Sequence, residues 1–201
     1  MLNTKNILII LSTLFLFSCG NQTTTKDDKS VLVEEEKIDT SLYLQKGSEI
    51  AKATFKVLST NLQTAMANGG VNEAINFCSV NAQPLTDSLS NYHNVTIKRT
   101  SNKIRNPLNA PTDQESIMLD KYIAGNNKAM IHENEDGSIS FYSPIYTKGL
   151  CVVCHGQVGN TIAEADYKTI LEKYPEDKAI DYSVDELRGM WSLIFKNKND
   201  E

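Results

Sequence analysis

Residues 150 to 156 read Leu-Cys-Val-Val-Cys-His-Gly. Two cysteines separated by two residues, with a histidine directly after the second, have the types and spacing that covalent attachment of a c-type haem requires. Each thiol adds to one vinyl group of the porphyrin, and the adjacent imidazole then lies under the ring within reach of iron. On that chemistry Cys151 and Cys154 are the thioether donors and His155 is the proximal iron ligand. In a reducing compartment the same residues would equally suit half a zinc site or a redox pair, so the compartment matters.

The amino terminus addresses it. One lysine, Lys5, precedes an apolar run over residues 7–17, which is signal-peptide length and too short for a membrane span. Leu16-Phe17-Ser18-Cys19 resembles a lipobox, in which a small residue precedes the cysteine that becomes the lipidated first residue. Residues 1–18 are therefore expected to be a lipoprotein signal peptide and Cys19 the lipid anchor; a free cysteine at the end of a membrane anchor is the alternative. Either reading exports the chain, to the periplasmic side of a membrane or to the cell surface. Of four cysteines, only Cys78 is then left over. A Cys151–Cys154 disulfide is the competing assignment, but it leaves His155 without a role.

Composition excludes more than it proposes. The chain has 20 basic and 25 acidic residues, a net charge of −5, and no basic stripe for nucleic acid. Residues 19–42 are polar and rich in Thr, Asp and Glu, as expected for a tether between lipid and domain. Residues 43–201 are expected to form one domain, and with no internal repeat a single haem.

The elements that must position the motif can be read in order. Leu44, Ala51, Phe55, Leu58, Leu62 and Ala65, with Met66 alongside, mark one face of a helix over about 42–67 that Gly69-Gly70 ends. A second helix opens near Asn72 and carries Ala74, Cys78, Ala82 and Leu85 on one side. Cys78 points to the core, where a cysteine between alanines reads by itself as a small buried hydrophobe. Residues 95–99 alternate as a strand. Arg105 to Pro111 is too rich in proline and asparagine for regular structure; there Arg99 or Arg105 could clamp haem propionates, or the loop could be held by its own salt bridges. Thr112-Asp113-Gln114-Glu115 is a capping box opening a helix to about 124. Residues 127–133 and 138–145 flank a turn at 134–137 and predict a hairpin. Met130 and His132 share one face of its first strand, and both are iron ligands by type. A helix from Ala163 to Tyr174 is stopped by Pro175, and 190–195 suits a central strand. Long helices followed by strands describe an α+β domain with an antiparallel sheet.

These residues together resemble the PAS-like c-type haem proteins, typified by a cyanobacterial cytochrome and also found as periplasmic sensor modules and stand-alone exported proteins. The blocks that carry the resemblance are Ala74 to Cys78 with Ala82-Gln83-Pro84, Arg99-Thr100-Ser101, Arg105-Asn106-Pro107 with Asn109-Ala110-Pro111, Pro144-Ile145, Cys151 to Gly156, Tyr174 to Ala179, and Leu187-Arg188-Gly189. Residues 181–186 depart from it, replacing a glycine-containing stretch. The resemblance implies a PAS-like sheet with helices packed on it around one covalent haem c, with His155 proximal and Cys78 distal. Met130, His132 or a vacant position are the competing distal assignments.

Function is a binding role rather than an enzymatic one on this reading: an exported, lipid-anchored haem module sensing redox state or a small gas through exchange of a weak distal ligand. Electron transfer with another exported redox protein is the second reading, and a small peroxidase or reductase the third. No output segment follows residue 201, so a signalling partner is expected to be a separate protein.

Overall fold

The computed structural model describes residues 39–197; the expected signal peptide, Cys19 and the tether up to residue 38 lie outside them. The first helix, α1 (Thr40–Val80), opens on Asp39, whose carboxylate accepts the Leu42 amide at 3.1 Å. It thus begins inside the expected 19–42 tether, where the Asp39 side chain caps it. Gly69 and Gly70 leave helical geometry, Gly70 at φ 68°, and divide α1 into two limbs where the sequence predicts a helix end. The second limb stops at Asn81 instead of running on through Leu85, and α2 (Ala82–His93) starts afresh. Pro84 is the physical reason: it supplies no N–H, and its ring would strike the carbonyl of Val80, four residues back in a continuous helix.

Four strands, β1 (Val95–Thr100), β2 (Met130–Glu133), β3 (Ile139–Tyr146) and β4 (Leu187–Phe195), form one antiparallel sheet in the order β1-β4-β3-β2. The last strand of the chain is therefore central, as its apolar composition predicts, and it extends back to Leu187. The predicted hairpin is β2-β3, turned at Gly137 with φ 77°.

Register fixes which side chains share a face. Ile131, Phe141, Leu193 and Ile97 form one cross-sheet row, and Met130, Tyr142, Ser192 and Lys98 the next. Because successive strand side chains alternate, the first row and its i±2 neighbours face one way and the second row the other. On the first face Ile97, Phe141, Trp191, Leu193 and Phe195 pack with Ala51 and Leu58 of α1 and Ala82 of α2. Gly47 is what lets α1 come this close, since a Cβ there would enter the Phe141 ring. On the second face Tyr142 and Met190 pack with Met118, Leu119 and Tyr122 of α3 (Asp113–Ile123). The predicted capping box opens α3: Thr112 Oγ1 accepts the Glu115 amide at 3.2 Å and Glu115 Oε2 accepts the Thr112 amide at 2.8 Å.

After β3 come α4 (Gly149–His155) and α5 (Glu164–Lys173). The stretch before β4, where the sequence departs from the pattern it resembles, turns with Asp181 at φ 62° and Asp185 at φ 65°. Two aspartates take the left-handed conformations that glycine would adopt at lower cost. Among the described residues no helix is long and apolar enough to cross a membrane.

Candidate functional site

The Cys-Val-Val-Cys-His segment is itself helical. Helix α4 begins at Gly149, and three-residue spacing places the Cys151 and Cys154 side chains on neighbouring parts of one helix surface. Gly156 ends the helix because the backbone passes the Thr161 side chain and the Val152 carbonyl too closely for a Cβ.

His155 is held by the chain that follows α5. Its Nδ1 lies 2.7 Å from the Ala179 carbonyl oxygen, which can only accept, so Nδ1 carries the proton and Nε2 keeps its lone pair. Burial drives the imidazole pKa well below its ordinary value, with Arg188 and Arg105 acting in the same direction against the Ala179 bond. A neutral ring with one nitrogen fixed by a backbone carbonyl is the arrangement metal-binding histidines adopt.

Arg105 locks that chain to α4. Its Nε and Nη2 donate to Asp177 Oδ1 and Oδ2 at 3.0 and 2.9 Å, and Nη2 also donates to the carbonyls of Cys154 at 2.7 Å and Ala179 at 3.3 Å. Of the two roles open to Arg105 from sequence, the geometry supports the loop held by its own salt bridge.

Cys78, Cys151, Cys154 and His155 line one cavity of about 270 Å³, walled by apolar side chains that include Leu58, Leu62, Ile145, Ile170 and Trp191. Burial raises the Cys78 thiol pKa, against the pull of Arg99 and Arg105. Burial likewise raises Cys154, to about 11, although Arg105 opposes it. Cys78, Cys151 and Cys154 are all free thiols in this structure. No cluster of three or more His, Cys, Asp or Glu able to hold a metal ion is found among the described residues. Arg99 lies across β1/β4 from Trp191, its guanidinium carbon 6.0 Å from the ring centroid. Among the described residues the lining contains Arg99, Lys103, Arg105 and Arg188 and not one Asp or Glu, although acidic residues outnumber basic ones in the whole chain.

A family model described as Tll0287-like matches residues 26–195. The chain belongs to the Tll0287-like family. The crystal structure of the cyanobacterial haem-protein Tll0287 is similar to it at 19% identity and a TM-score of 0.54, over 76% of this chain and 91% of that one. No curated protein matches. The Tll0287 likeness shows the fold, and with the four-stranded antiparallel sheet and its covering helices it gives the PAS-like α+β architecture expected from the sequence.

In this Tll0287-like chain the sequence-predicted residues Cys78, Arg99, Arg105, Cys151, Cys154 and His155 all line the one cavity. Cys19 lies outside the described residues. Met130 and His132 do not reach the cavity: they stand on the α3 face of the sheet, in the rows of Tyr142 and Ser140, while Arg99 and Trp191 stand on the α1 face. Sequence reasoning missed Met66, Tyr174, Arg188 and Trp191, which also line the cavity. Met66 was legible only as an apolar helix residue, and Arg188 only as part of a family block.

Such a donor set could hold a large apolar cofactor that carries acidic groups and a metal centre. Two adjacent thiols, a tautomer-fixed imidazole, a third thiol, apolar walls and cations line the same cavity.

Proposed function

We propose that this domain covalently binds one haem c and works as an exported haem module that senses redox state or a small gas. The observation that carries the reading is the convergence of Cys151, Cys154, His155 and Cys78 on one cavity, with His155 Nδ1 tied to the Ala179 carbonyl. The motif at 151–155 gives the mode of attachment, and a family relative described as a haem-protein supports the cofactor. Bound haem would supply a redox-active iron with two axial positions.

The chain's own residues then divide the work. Cys151 and Cys154 are the attachment points, so the cofactor stays with the protein. His155 offers Nε2 from a ring whose orientation Ala179 fixes, which suits a permanent ligand. Cys78 is the exchangeable ligand. As a thiolate it can bind metal; once released, burial favours the protonated thiol, a poor ligand. Leu16-Phe17-Ser18-Cys19 supports membrane anchoring through a diacylated Cys19, since two chains suffice for stable attachment.

A second reading, electron transfer to another exported protein, is favoured by the rim: Phe55 and Leu150 line the cavity and are 53% and 39% exposed, an apolar edge that a redox partner could approach. Absorption spectra of the purified protein, oxidised, reduced and reduced under carbon monoxide, separate the two. A reduced spectrum that carbon monoxide changes supports sensing by ligand exchange. Six-coordinate spectra indifferent to carbon monoxide, with rapid electron exchange, would overturn sensing in favour of transfer.

A further inference from the structure

The four cations of the cavity are not equivalent. Arg105 is neutralised by Asp177, whose side chain is fully buried. Lys103 donates from Nζ to the Ile180 carbonyl at 3.1 Å and sits 4.6 Å from the centre of the Tyr182 ring. Among the described residues Arg99 makes no hydrogen bond and no ion pair, and its guanidinium lies against the Trp191 ring. Arg188 donates Nη1 to the Lys103 carbonyl at 3.1 Å and lies over the Tyr182 ring, yet its Nε is buried without a partner. Arg99 and Arg188 thus both line an apolar cavity, and among the described residues neither forms an ion pair with a carboxylate.

A buried charge without a partner is costly, and proteins seldom keep two of them without a ligand that supplies the counter-charge. Burial pulls the pKa of both arginines below the ordinary value, which expresses the same cost, but guanidinium keeps its proton at any physiological pH. The planar donor fork matches a carboxylate. Arg99 and Arg188 come from β1 and β4, and the two strand ends are drawn together where Gly189 passes the Thr100 carbonyl with no room for a Cβ. We infer that Arg99 and Arg188 form a two-point carboxylate clamp in this cavity, with Arg105 withdrawn from it by Asp177. The ligand it selects is an apolar body bearing two carboxylates, which a porphyrin with its propionates is; a neutral apolar ligand would leave both cations unpaired. This inference rests on the haem reading and adds to it the residues that grip the acidic edge.

The test uses the holoprotein as purified from cells, in wild-type form and as Arg99→Gln, Arg188→Gln and Arg105→Gln, with Arg99→Lys and Arg188→Lys as conservative partners. Haem content is measured by staining after denaturing electrophoresis, and the propionate-bending bands by resonance Raman. Arg99→Gln and Arg188→Gln should each shift those bands and lower the reduction potential, because a cation near the centre that disfavours its oxidised form has been removed. The Lys variants should recover the potential while the bands stay shifted, since charge returns without the fork. Should a Gln variant fail to fold, its Lys partner still reports the loss of the fork through the bands. Arg105→Gln should instead lower thermal stability and leave the bands in place. Unmoved bands in Arg99→Gln and Arg188→Gln that retain haem, or bands that move only in Arg105→Gln, would overturn the clamp and leave the haem reading standing. Wild-type protein without covalent haem would overturn both.

Discussion

Arg105 and Asp177 meet in a two-point salt bridge, Nε to Oδ1 at 3.0 Å and Nη2 to Oδ2 at 2.9 Å, 72 residues apart in sequence. The bridge ties the loop after β1 to the segment that follows α5, and through Arg105 Nη2 it reaches the Cys154 and Ala179 carbonyls. Ala179 in turn holds His155. One ion pair is thereby linked to the backbone segment that holds the His155 imidazole.

Breaking this pair by Asp177→Asn leaves the Arg105 charge without its partner and should cost about 3 kcal/mol, the scale for disrupting a buried pair from one side. Thermal unfolding of wild type and variant measures the loss. Covalent haem yield should fall with it, because the His155 segment is no longer fixed; an unchanged melting temperature with full haem content would show that the bridge positions nothing.

Acid should weaken the α3 junction. Burial alone would raise the Glu115 carboxyl, but hydrogen bonds from Lys98 and the Thr112 amide outweigh it and hold the pKa below the ordinary value. A carboxyl depressed in the folded state binds fewer protons than in the unfolded one, so its contribution is complete above the ordinary pKa of 4.5 and is lost as pH falls through the folded value. Glu115→Gln should therefore be less stable than wild type at pH 7, by about 1 to 2 kcal/mol for a charged hydrogen bond. Denaturant titrations at pH 7 and pH 3 should show that gap narrowing; a gap that widens in acid would have the sign wrong.

Cys78 separates a packing role from a ligand role. As a packing residue alone, Cys78→Ala costs about 1 kcal/mol and leaves the haem spectrum untouched. As the distal ligand, its removal should convert ferric haem from low-spin to high-spin or aquo-ligated and raise the reduction potential, since a thiolate offsets ferric charge. Met66→Ala is the necessary comparison, because Met66 lines the same cavity. A ligand-loss spectrum from Met66→Ala with Cys78→Ala unchanged would transfer the role to methionine.

Local chemistry made much of this legible in the sequence. The Gly69-Gly70 kink, the Thr112 capping box, the β2-β3 hairpin and the central last strand each follow from a few adjacent residues. What escaped depends on register and distance. Met130 and His132 were open candidates because two-residue alternation says that they share a face, not which face; only pairing with β3 places them toward α3. The stop at Asn81 was missed because the apolar spacing through Ala82 and Leu85 continued across it, while Pro84 acted on the carbonyl four residues earlier. Arg188 gives no local sign of its unpartnered Nε, since that depends on segments far apart in sequence being brought together.

The account stands on covalent attachment at residues 151 and 154. Intact mass of the purified wild-type protein, beside the Cys151→Ala/Cys154→Ala double variant, tests this directly. The account predicts a wild-type mass greater than that of the processed chain by one haem, surviving denaturation, and a double variant that lacks the increment. A wild-type chain without it, or a double variant that keeps it, would contradict the account.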